Sequence, residues 1–434
     1  MIKTCLVSLG CEKNLVDSEI ILGMLAKGGF KIYPNKEGAD LIIINTCGFI
    51  ESAKQEAIDE ILDSLDYKED GAKIVVTGCL AQRYFDELKS ELPEVDLFIP
   101  IRDYYRFGEL LADLFKEAKY HDLCFDAMNR FVSTPKHLAY VRISEGCNNR
   151  CTYCAIPLIR GSFISRPEED VLKEIEMLVK EGRYEICLIS QDLTRYGSDL
   201  GTTSLASLIH KASQIEGNFK IRLLYLYPDE ITDELISEVA ANPKVMNYFD
   251  IPLQHISTHI LRDMHRRGDE AFVRELIGKI RTNMPDAIIR TTMIVGFPGE
   301  TEDDQKQLLK FVQDIGFNHL GAFTYSKEED TPAFDLPNQI AEDIKFKRYN
   351  ELMETQKFIS MHKNEEFIGK TYECVIEEFD GEFYHGRGYM FAPDDIDGTI
   401  FITSSKELEI GNVYDVKIID REFYDLIGIV DEGL

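Results

Sequence analysis

The sequence lacks the apolar stretches that mark membrane proteins and secreted proteins. No apolar run approaches the roughly 20 residues of a membrane span, and no basic-plus-apolar leader stands at the N-terminus. The chain nevertheless has ten cysteines among its 434 residues. Without a secretory leader, cysteines generally serve metal binding or catalysis rather than disulfide bonding. We therefore expect a cytoplasmic protein with no membrane partner, in which cysteines carry chemistry.

Basic residues are also scarce. The chain has 48 Lys and Arg against 77 Asp and Glu, which gives a formal net charge of −29. Proteins that bind nucleic acids usually carry a basic face, because neutralising phosphates drives their affinity. The composition therefore disfavours a nucleic-acid partner. It leaves two interpretations open: general solubility in an acid-rich proteome, or a basic partner such as a cationic protein.

Apolar strand patterns alternate with helical patterns over the first 118 residues. The predicted strands are Thr4–Leu9, Leu41–Asn45, Lys73–Thr77 and 95–100. This alternation is typical of an α/β fold with helices on both faces of a parallel sheet. We predict an N-terminal doubly wound parallel αβ domain over residues 1–118, followed by a linker without clear periodicity over 119–136.

A second series of strand and helix patterns covers residues 137–366. A closed barrel of this kind has eight units, and only six are found here, so we predict a partial (β/α)6 barrel. The predicted strands are Ala139–Ser144, Tyr184–Ser190, Lys220–Leu226, Met246–Ile251, Ala287–Val295 and His319–Tyr325.

The pattern changes again over residues 367–434. Five short β-branched and aromatic runs alternate with Asp-Gly and Gly-Asn turn signals, which predicts a small five-stranded antiparallel β-barrel. Barrels of this size often bind RNA, but residues 369–434 contain sixteen acidic residues against five basic ones. That acidity argues against RNA as the partner of this barrel.

Three cysteines are closely spaced just after a predicted barrel strand. Cys147, Cys151 and Cys154, here termed the tight triad, form a C-x3-C-x2-C pattern. A structural zinc site normally takes four protein ligands, and no further Cys or His lies close by in the sequence. Three thiolates suit an iron–sulfur cluster better, because they leave one iron free for an exogenous ligand.

Three more cysteines are dispersed but share one structural position. Cys11, Cys47 and Cys79, here termed the dispersed triad, each follow a short apolar run and precede a helical stretch. The C-terminal ends of parallel strands meet at one edge of a sheet, and helix N-termini stabilise thiolates there. The sequence therefore predicts a second cluster with three protein ligands.

The tight triad, in "ISEGCNNRCTYCAIP", resembles the cluster loop of the radical S-adenosylmethionine (SAM) superfamily. The resemblance implies that the free iron of a 4Fe–4S cluster chelates SAM, and that one electron cleaves SAM to a 5′-deoxyadenosyl radical. The segment "TTMIVGFPGETEDD" is similar to the SAM-contacting strand end of that superfamily. This similarity implies SAM contacts by Gly296, Gly299 and Glu300.

One superfamily motif is absent from the sequence. The glycine-glycine-glutamate motif that many members carry after the second barrel strand is replaced here by "SQD" at 190–192. Gln191 or Asp192 would then make the SAM contact at this strand end.

The order of the three domains resembles the methylthiotransferases over essentially all 434 residues. The resemblance implies that a methylthio group is inserted into an unactivated C–H bond with two SAM molecules per turnover. It also implies an auxiliary 4Fe–4S cluster on the dispersed triad and a TRAM-like C-terminal barrel. No protein side chain is then expected to act as the acid or base.

Local motifs resemble the RimO branch, which modifies the β-carbon of an aspartate in ribosomal protein S-twelve. "SLGCEKNLVDSE" and "YFDIPLQH" have the form found in that branch, and S-twelve is a basic protein. The resemblance implies S-twelve as the partner, in the small ribosomal subunit, an electron donor such as flavodoxin or ferredoxin, and no direct tRNA substrate. The alternatives are a tRNA adenosine methylthiotransferase and, in another class, a non-catalytic iron–sulfur electron carrier.

Other residues with functional chemistry have simpler interpretations or two open ones. Arg160 and Arg166 lie just past the tight triad and could pair with SAM, with the substrate aspartate or with surface acids. His255 and His259, four apart, favour a helix start and a solvated histidine over metal ligation. The remaining cysteines are predicted to be structural: Cys5, Cys124, Cys187 and Cys374.

Overall fold

The N-terminal domain is a five-stranded parallel sheet. The computed structural model of the chain describes residues 1–394 and 396–430. The strand order is β2-β1-β3-β4-β5. The strands are β1 (Lys3–Ser8), β2 (Lys31–Ile32), β3 (Leu41–Thr46), β4 (Lys73–Gly78) and β5 (Leu97–Pro100). The helices are α1 (Glu12–Lys27), α2 (Glu51–Leu65), α3 (Cys79–Arg83), α4 (Phe85–Glu91) and α5 (Phe107–Phe115).

Helices cover both faces of this sheet, so the predicted doubly wound arrangement is confirmed. On one face, Ile21 of α1 packs with Phe107 and Leu111 of α5. On the other, Ile61 of α2 packs with Leu80 of α3. The strand order reverses between β1 and β3, and open α/β sheets bind their ligands at the carboxyl edge beside such a reversal.

The central domain is the predicted partial barrel. Two three-stranded parallel sheets, β6-β9-β10 and β11-β12-β13, meet through a parallel bridge between Ile221 and Val245. The strands are β6 (Leu138–Arg142), β7 (Ser144–Glu145), β8 (Ile164–Ser165), β9 (Glu185–Ile189), β10 (Lys220–Leu223), β11 (Tyr248–Asp250), β12 (Ile288–Val295) and β13 (His319–Thr324). The short strands β7 and β8 pair separately and antiparallel, and they bracket the tight triad.

Helices follow the barrel strands. They are α6 (Ile156–Arg160), α7 (Glu168–Lys180), α8 (Leu205–Ser213), α9 (Asp233–Ala241), α10 (Thr258–Asp263), α11 (Glu270–Asn283), α12 (Glu302–Ile315) and α13 (Glu342–Glu365). Among them, α6 packs against the N-terminal domain. Across residues 1–394 and 396–430, no helix is both long and apolar enough to cross a membrane.

The C-terminal domain is a closed barrel with the strand order β14-β15-β16-β18-β17. The strands are β14 (Thr371–Phe379), β15 (Tyr384–Arg387), β16 (Ile400–Thr403), β17 (Val413–Arg421) and β18 (Leu426–Val430). Four neighbouring pairs are antiparallel, as predicted, and β16–β18 is parallel. A closed ring with an odd number of strands cannot alternate direction throughout, so one parallel pair is required.

A loop of the C-terminal barrel fills the inside of the partial barrel. We term the described residues 388–394 and 396–397, between β15 and β16, the plug loop. Met390 and Phe391 of this loop pack with Tyr140 of β6 and Tyr248 of β11. The Tyr248 hydroxyl donates a hydrogen bond of 2.5 Å to Oδ2 of Asp397. The two barrels therefore share one core, which the sequence pattern did not predict.

The segment between the first two domains is packed against α1. The backbone N–H of Phe131 donates to the carbonyl of Glu19 at 2.8 Å. A Cβ atom on Gly23 would lie 1.7 Å from the carbonyl oxygen of Asn129. Only glycine permits this approach, so α1 packs closely against the segment over 119–136.

Candidate active site

The dispersed triad converges at the carboxyl edge of the N-terminal sheet. Cys11 caps the N-terminus of α1 after β1, Cys47 directly follows β3, and Cys79 begins α3 after β4. Strands β1, β3 and β4 are neighbours in the sheet, so their ends place these three residues side by side. The site lies beside the reversal of strand order, where an α/β sheet offers a crevice.

Close backbone packing holds these thiols in place. Gly10 has φ +87°, and a Cβ atom there would lie 2.9 Å from Cys47 Sγ. Gly78 has φ +94°, and its Cβ would lie 2.4 Å from the carbonyl oxygen of Thr46. Side chains at either glycine would displace the loops that carry the cysteines.

The electrostatics of the dispersed triad suit a positively charged group. Burial raises the pKa of Cys79 to about 11, and the neighbouring Cys11 and Cys47 sulfurs add to the shift, whereas Arg160 opposes it. Burial also raises the pKa of Cys47, again with a contribution from Cys11. The three sulfurs thus repel each other as thiolates, and a bound metal cluster would supply the charge that favours the ionised form.

The tight triad lies in the loop between β7 and β8. The backbone N–H of Cys147 donates to Gly161 O at 3.2 Å, and that of Cys154 donates to Cys151 O at 3.0 Å. Arg150, within the loop, has φ +55°. Burial raises the pKa of Cys154 to about 12, and the Cys151 and Cys147 sulfurs contribute in the same direction. This triad therefore offers three cysteine sulfurs, as the dispersed triad does, and a bound positively charged group would likewise favour their ionised form.

The two triads face each other across the domain interface. Cys79 packs in one buried cluster with Ala155 and Ile159, which immediately follow the tight triad. The Arg160 guanidinium donates to Cys79 Sγ at 3.4 Å. The carboxyl edges of the N-terminal sheet and the partial barrel are thus turned toward one another.

The arginines left open by the sequence are bound to protein groups. Arg160 Nη1 donates to Asp17 Oδ2 at 2.6 Å, and Arg142 Nη1 donates to Asp17 Oδ1 at 2.5 Å. Burial alone would raise the pKa of Asp17, but the two guanidiniums outweigh it and lower the pKa. Arg166 donates to Glu174 Oε2 at 2.6 Å. Both candidate arginines are therefore paired within the protein.

The structure places the predicted SAM contacts at two strand ends of the barrel. Gln191 lies after β9 and donates to Glu145 Oε1, in the β7 strand that leads into the tight triad, at 2.9 Å. Gly296 and Gly299 lie in the turn after β12, with φ +74° and +86°. Glu300 accepts hydrogen bonds from the backbone N–H groups of Gly296 and Phe297. The carboxylate of Glu300 therefore supports the turn that holds both glycines.

Burial raises the pKa of Glu300 to about 7, against the opposing effect of Arg348. Arg348 Nη1 lies 3.3 Å from Glu300 Oε1. The turn after β12 thus contains a carboxyl group whose pKa lies close to neutral pH.

Unpartnered buried polar atoms mark the carboxyl ends of the barrel strands. Polar groups buried in proteins are nearly always hydrogen-bonded, so atoms left without a partner indicate a polar ligand. Within the described chain, six buried atoms without a hydrogen-bond partner follow β6, β9, β10 and β11: Ser144 Oγ, Gln191 Oε1, Arg195 Nε, Asp229 Oδ1, Gln254 Oε1 and His255 Nε2. The mouth of the barrel therefore fits a polar molecule such as SAM.

The cysteine sites differ from a site for one metal ion. In the described part of the chain, no three His, Cys, Asp or Glu side chains are spaced to hold a single ion. Ligands of a cubane cluster bind different irons and stand farther apart than the ligands of one ion.

His255 and His259 do not share a helix face, because α10 begins only at Thr258. His255 Nδ1 accepts a hydrogen bond of 3.0 Å from the backbone N–H of Ser257. The predicted structural cysteines Cys5, Cys187 and Cys374 are buried in strands, and Cys124 is exposed.

Sequence reasoning missed the side chains that contact the tight triad from distant segments. The Tyr227 hydroxyl and the Arg266 guanidinium each lie 3.9 Å from Cys151 Sγ. Arg266 also donates to the carbonyl of Pro252 at 2.5 Å. These residues are more than seventy positions away in the chain, and no local spacing pattern connects them with Cys151.

Family models match three successive parts of the chain. Residues 3–100 match the uncharacterized protein family UPF0004, residues 141–312 the radical SAM superfamily, and residues 368–430 the TRAM domain. The fold is similar to the radical SAM methyltransferase TsrM from Kitasatospora setae with cobalamin and a 4Fe–4S cluster bound, at 13% identity and a TM-score of 0.57, over 76% of each chain. The fold and the tight triad together define a radical SAM enzyme.

Curated relatives narrow this class. The ribosomal protein uS12 methylthiotransferase RimO of Clostridium botulinum is 48% identical over 440 residues, covering 99% of this chain and 98% of the relative. The RimO of Clostridioides difficile is 46% identical, covering 99% of both chains. The chain belongs to the RimO family of uS12 methylthiotransferases. Its cofactors are SAM and two iron–sulfur clusters, and the resemblance to this family predicted from the sequence is confirmed.

Proposed function

We propose that this protein adds a methylthio group to the β-carbon of an aspartate in ribosomal protein uS12. The auxiliary 4Fe–4S cluster is assigned to Cys11, Cys47 and Cys79, and the radical SAM 4Fe–4S cluster to the tight triad. One observation carries this assignment: Cys79 packs against Ala155 and Ile159, so the two sets of three thiolates adjoin one another. Two clusters with an open position each can then act on one substrate.

The bound groups and the protein have separate tasks. When bound, SAM and the clusters supply one-electron cleavage of a sulfonium bond and a position for the transferable sulfur. Arg160 donates to Cys79, and Arg266 and Tyr227 lie beside Cys151, so that cationic and polar groups balance the ligand thiolates. We assign no acid or base role to a protein side chain.

The SAM site is assigned to the mouth of the partial barrel. Gln191, Gly296, Gly299 and Glu300 line it in this proposal, since they lie at the ends of β9 and β12. The glycines allow close approach of the backbone to a ligand, and the Glu300 carboxylate fixes their turn.

The partner and the setting follow from charge and thiol chemistry. The net charge of −29 and the acidic C-terminal barrel suit a basic protein, which supports uS12 within the small ribosomal subunit as substrate. We propose a flavodoxin or ferredoxin as electron donor, and the cytoplasm as the compartment, where free thiols stay reduced. The working domains would be residues 1–118, 137–366 and 367–434, joined by 119–136.

The test uses three single variants of the anaerobically reconstituted protein. Wild type with dithionite, SAM and uS12 should release 5′-deoxyadenosine and add a methylthio mass to the uS12 aspartate. Cys11→Ala should still release 5′-deoxyadenosine but leave uS12 unmodified, whereas Cys151→Ala should lose both products. Cys124→Ala, which changes an exposed cysteine outside both triads, should match wild type.

Other outcomes would overturn the proposal. Unmodified uS12 together with a modified tRNA adenosine would indicate the tRNA branch. Wild type that carries both clusters but releases no 5′-deoxyadenosine would indicate an electron carrier.

A further inference from the structure

The proposed substrate requires a cation near the two triads, where the N-terminal domain meets the partial barrel. We term this region the triad interface. An aspartate side chain presents a carboxylate next to the carbon that reacts, and a buried carboxylate needs a positive partner. The interface itself is rich in acids, including Asp17, Glu12 and Glu145. The substrate carboxylate would therefore be repelled unless one cation of the interface is available to it.

Most cations of this interface are already committed to protein carboxylates. Arg142 and Arg160 both bind Asp17 at hydrogen-bonding distance. Elsewhere between the two domains, Glu328 Oε2 lies 3.2 Å from Lys54 Nζ and 2.9 Å from Arg83 Nη1. Each of these groups would have to give up a short ion pair in order to bind substrate.

Among the other cations beside the triads, Arg150 and Arg266 also have no carboxylate partner in the described residues, but Arg150 is exposed and Arg266 donates to the Pro252 carbonyl and the Tyr153 hydroxyl.

Lys13 is a buried cation that, among the described residues, has neither a carboxylate nor another oxygen acceptor. Its side chain is only 10% exposed, yet within the described residues no oxygen lies at hydrogen-bonding distance from its ammonium group; the nearest carboxylate oxygen, on Glu12, is 3.8 Å away. The ammonium lies 3.4 Å from the ring centroid of Tyr225, a cation–π contact that leaves its three N–H donors without an oxygen acceptor among the described residues. The Glu12 carboxylate is itself engaged by the Tyr225 hydroxyl at 2.8 Å.

The position of Lys13 in the first turn of α1 is also unfavourable for the stability of that helix. Lys13 lies in the first turn of α1, two residues after Cys11. Helix N-termini favour anions and disfavour cations, so a buried lysine there breaks a local rule. Such violations concentrate at functional sites, and an incoming carboxylate would be favoured by both the ammonium and the helix N-terminus.

Tyr225 is held in a strained conformation beneath the ammonium. Its φ is +67°, in the left-handed region that non-glycine residues rarely adopt. The backbone N–H of Tyr225 donates to Asp250 Oδ2 at 2.9 Å, which fixes this conformation. In this conformation the Tyr225 ring, just after β10 of the partial barrel, contacts Lys13 of the N-terminal domain. Residues of both domains therefore form the site around the Lys13 ammonium.

We propose that Lys13 binds the carboxylate of the substrate aspartate, with the Tyr225 ring positioning the ammonium. This inference rests on the proposed function. It makes Lys13 a specificity-determining residue: a site built around a buried cation rejects the isosteric asparagine, because the ammonium then loses its ionic partner.

The test is a double-mutant cycle on the reconstituted holoenzyme with SAM. Affinities are measured for uS12 and for uS12 in which the target aspartate is asparagine, using wild type, Lys13→Met and Lys13→Gln. Wild type should bind the aspartate form at least about tenfold more tightly, and both variants should bind the two forms within about twofold. Lys27→Met, an exposed lysine at the other end of α1, should keep the wild-type ratio.

Two results separate the possible failures. An aspartate-to-asparagine ratio that stays the same in the Lys13 variants would overturn the role of Lys13, even if wild type modifies uS12. Wild type that never modifies uS12 would instead remove the proposed function. Cluster signals and 5′-deoxyadenosine release, both expected to persist in Lys13→Met and Lys13→Gln, show that these variants are folded and loaded.

Discussion

At the scale of single residues, the domain interface depends on buried charge pairs that join distant parts of the chain. Arg160 and Asp17 are 143 positions apart and 2.6 Å apart in space. The sequence left the partner of Arg160 open between SAM, the substrate aspartate and surface acids, because spacing patterns report only local geometry. The two triads could be recognised from the sequence, since Cys11, Cys47 and Cys79 each follow a strand pattern and the other three cysteines are closely spaced in one loop.

Replacing Arg160 by methionine should destabilise the protein. The change leaves Asp17 buried with one cation instead of two, and breaking a buried pair costs about 3 kcal/mol or more. The free energy of unfolding of the cluster-free protein, measured by urea denaturation, checks this. Lys180→Met, which removes an exposed helix pair with Glu176, should cost no more than about 0.5 kcal/mol. Equal losses in both variants would contradict the account.

The stability contribution of His255 should depend on pH. Burial lowers the pKa of His255 from 6.5 to about 4, so the unfolded chain takes up the proton first as pH falls. Stability that is fully present above pH 6.5 is then lost as pH falls toward 4, by about 3 kcal/mol. The wild-type unfolding free energy should fall by this amount relative to His255→Asn over that window. A pH-independent difference between the two proteins would be inconsistent with a buried neutral His255.

At the scale of elements, periodicity predicted every long strand but not how the domains join. The six barrel strands lie within the predicted ranges or one residue outside them. The two-residue strand β2 was missed because it is too short to show alternation. The plug loop was missed because its contacts, such as Asp397 with Arg290, connect segments that no local pattern relates.

Asp397→Ala should loosen the plug loop. The Asp397 carboxylate accepts from the Tyr248 hydroxyl, from Arg290 Nε at 3.1 Å and from the Ala392 N–H at 2.8 Å. Its loss leaves buried donors unsatisfied, at a cost of about 3 kcal/mol. We expect faster proteolytic cleavage between α13 and β14 and a lower unfolding midpoint. Asp415→Ala, at an exposed position of β17 in the same barrel, is the matched control; equal cleavage rates would refute the role of the loop.

At the scale of the whole molecule, three domains are arranged around two adjoining cysteine triads. The N-terminal sheet brings three strand ends together, the partial barrel presents its own carboxyl edge to them, and the plug loop closes the inside of the barrel. The resemblance to the methylthiotransferases implies both the order of these domains and strand ends that face one another, whereas the residues that make the contact, such as Cys79 with Ala155, were visible only in the structure. That orientation is the central claim, because the proposed function requires two clusters, one on each triad, to act on one substrate.

Electron paramagnetic resonance of the fully reduced protein tests this claim most directly. Two 4Fe–4S clusters give about eight iron atoms per chain, and each triple cysteine-to-alanine variant should retain about four. Reduced wild type should show broadened, split signals from magnetic coupling between the clusters, and this coupling should vanish in either triple variant. A wild-type spectrum equal to the sum of the two variant spectra would place the clusters too far apart and contradict the account.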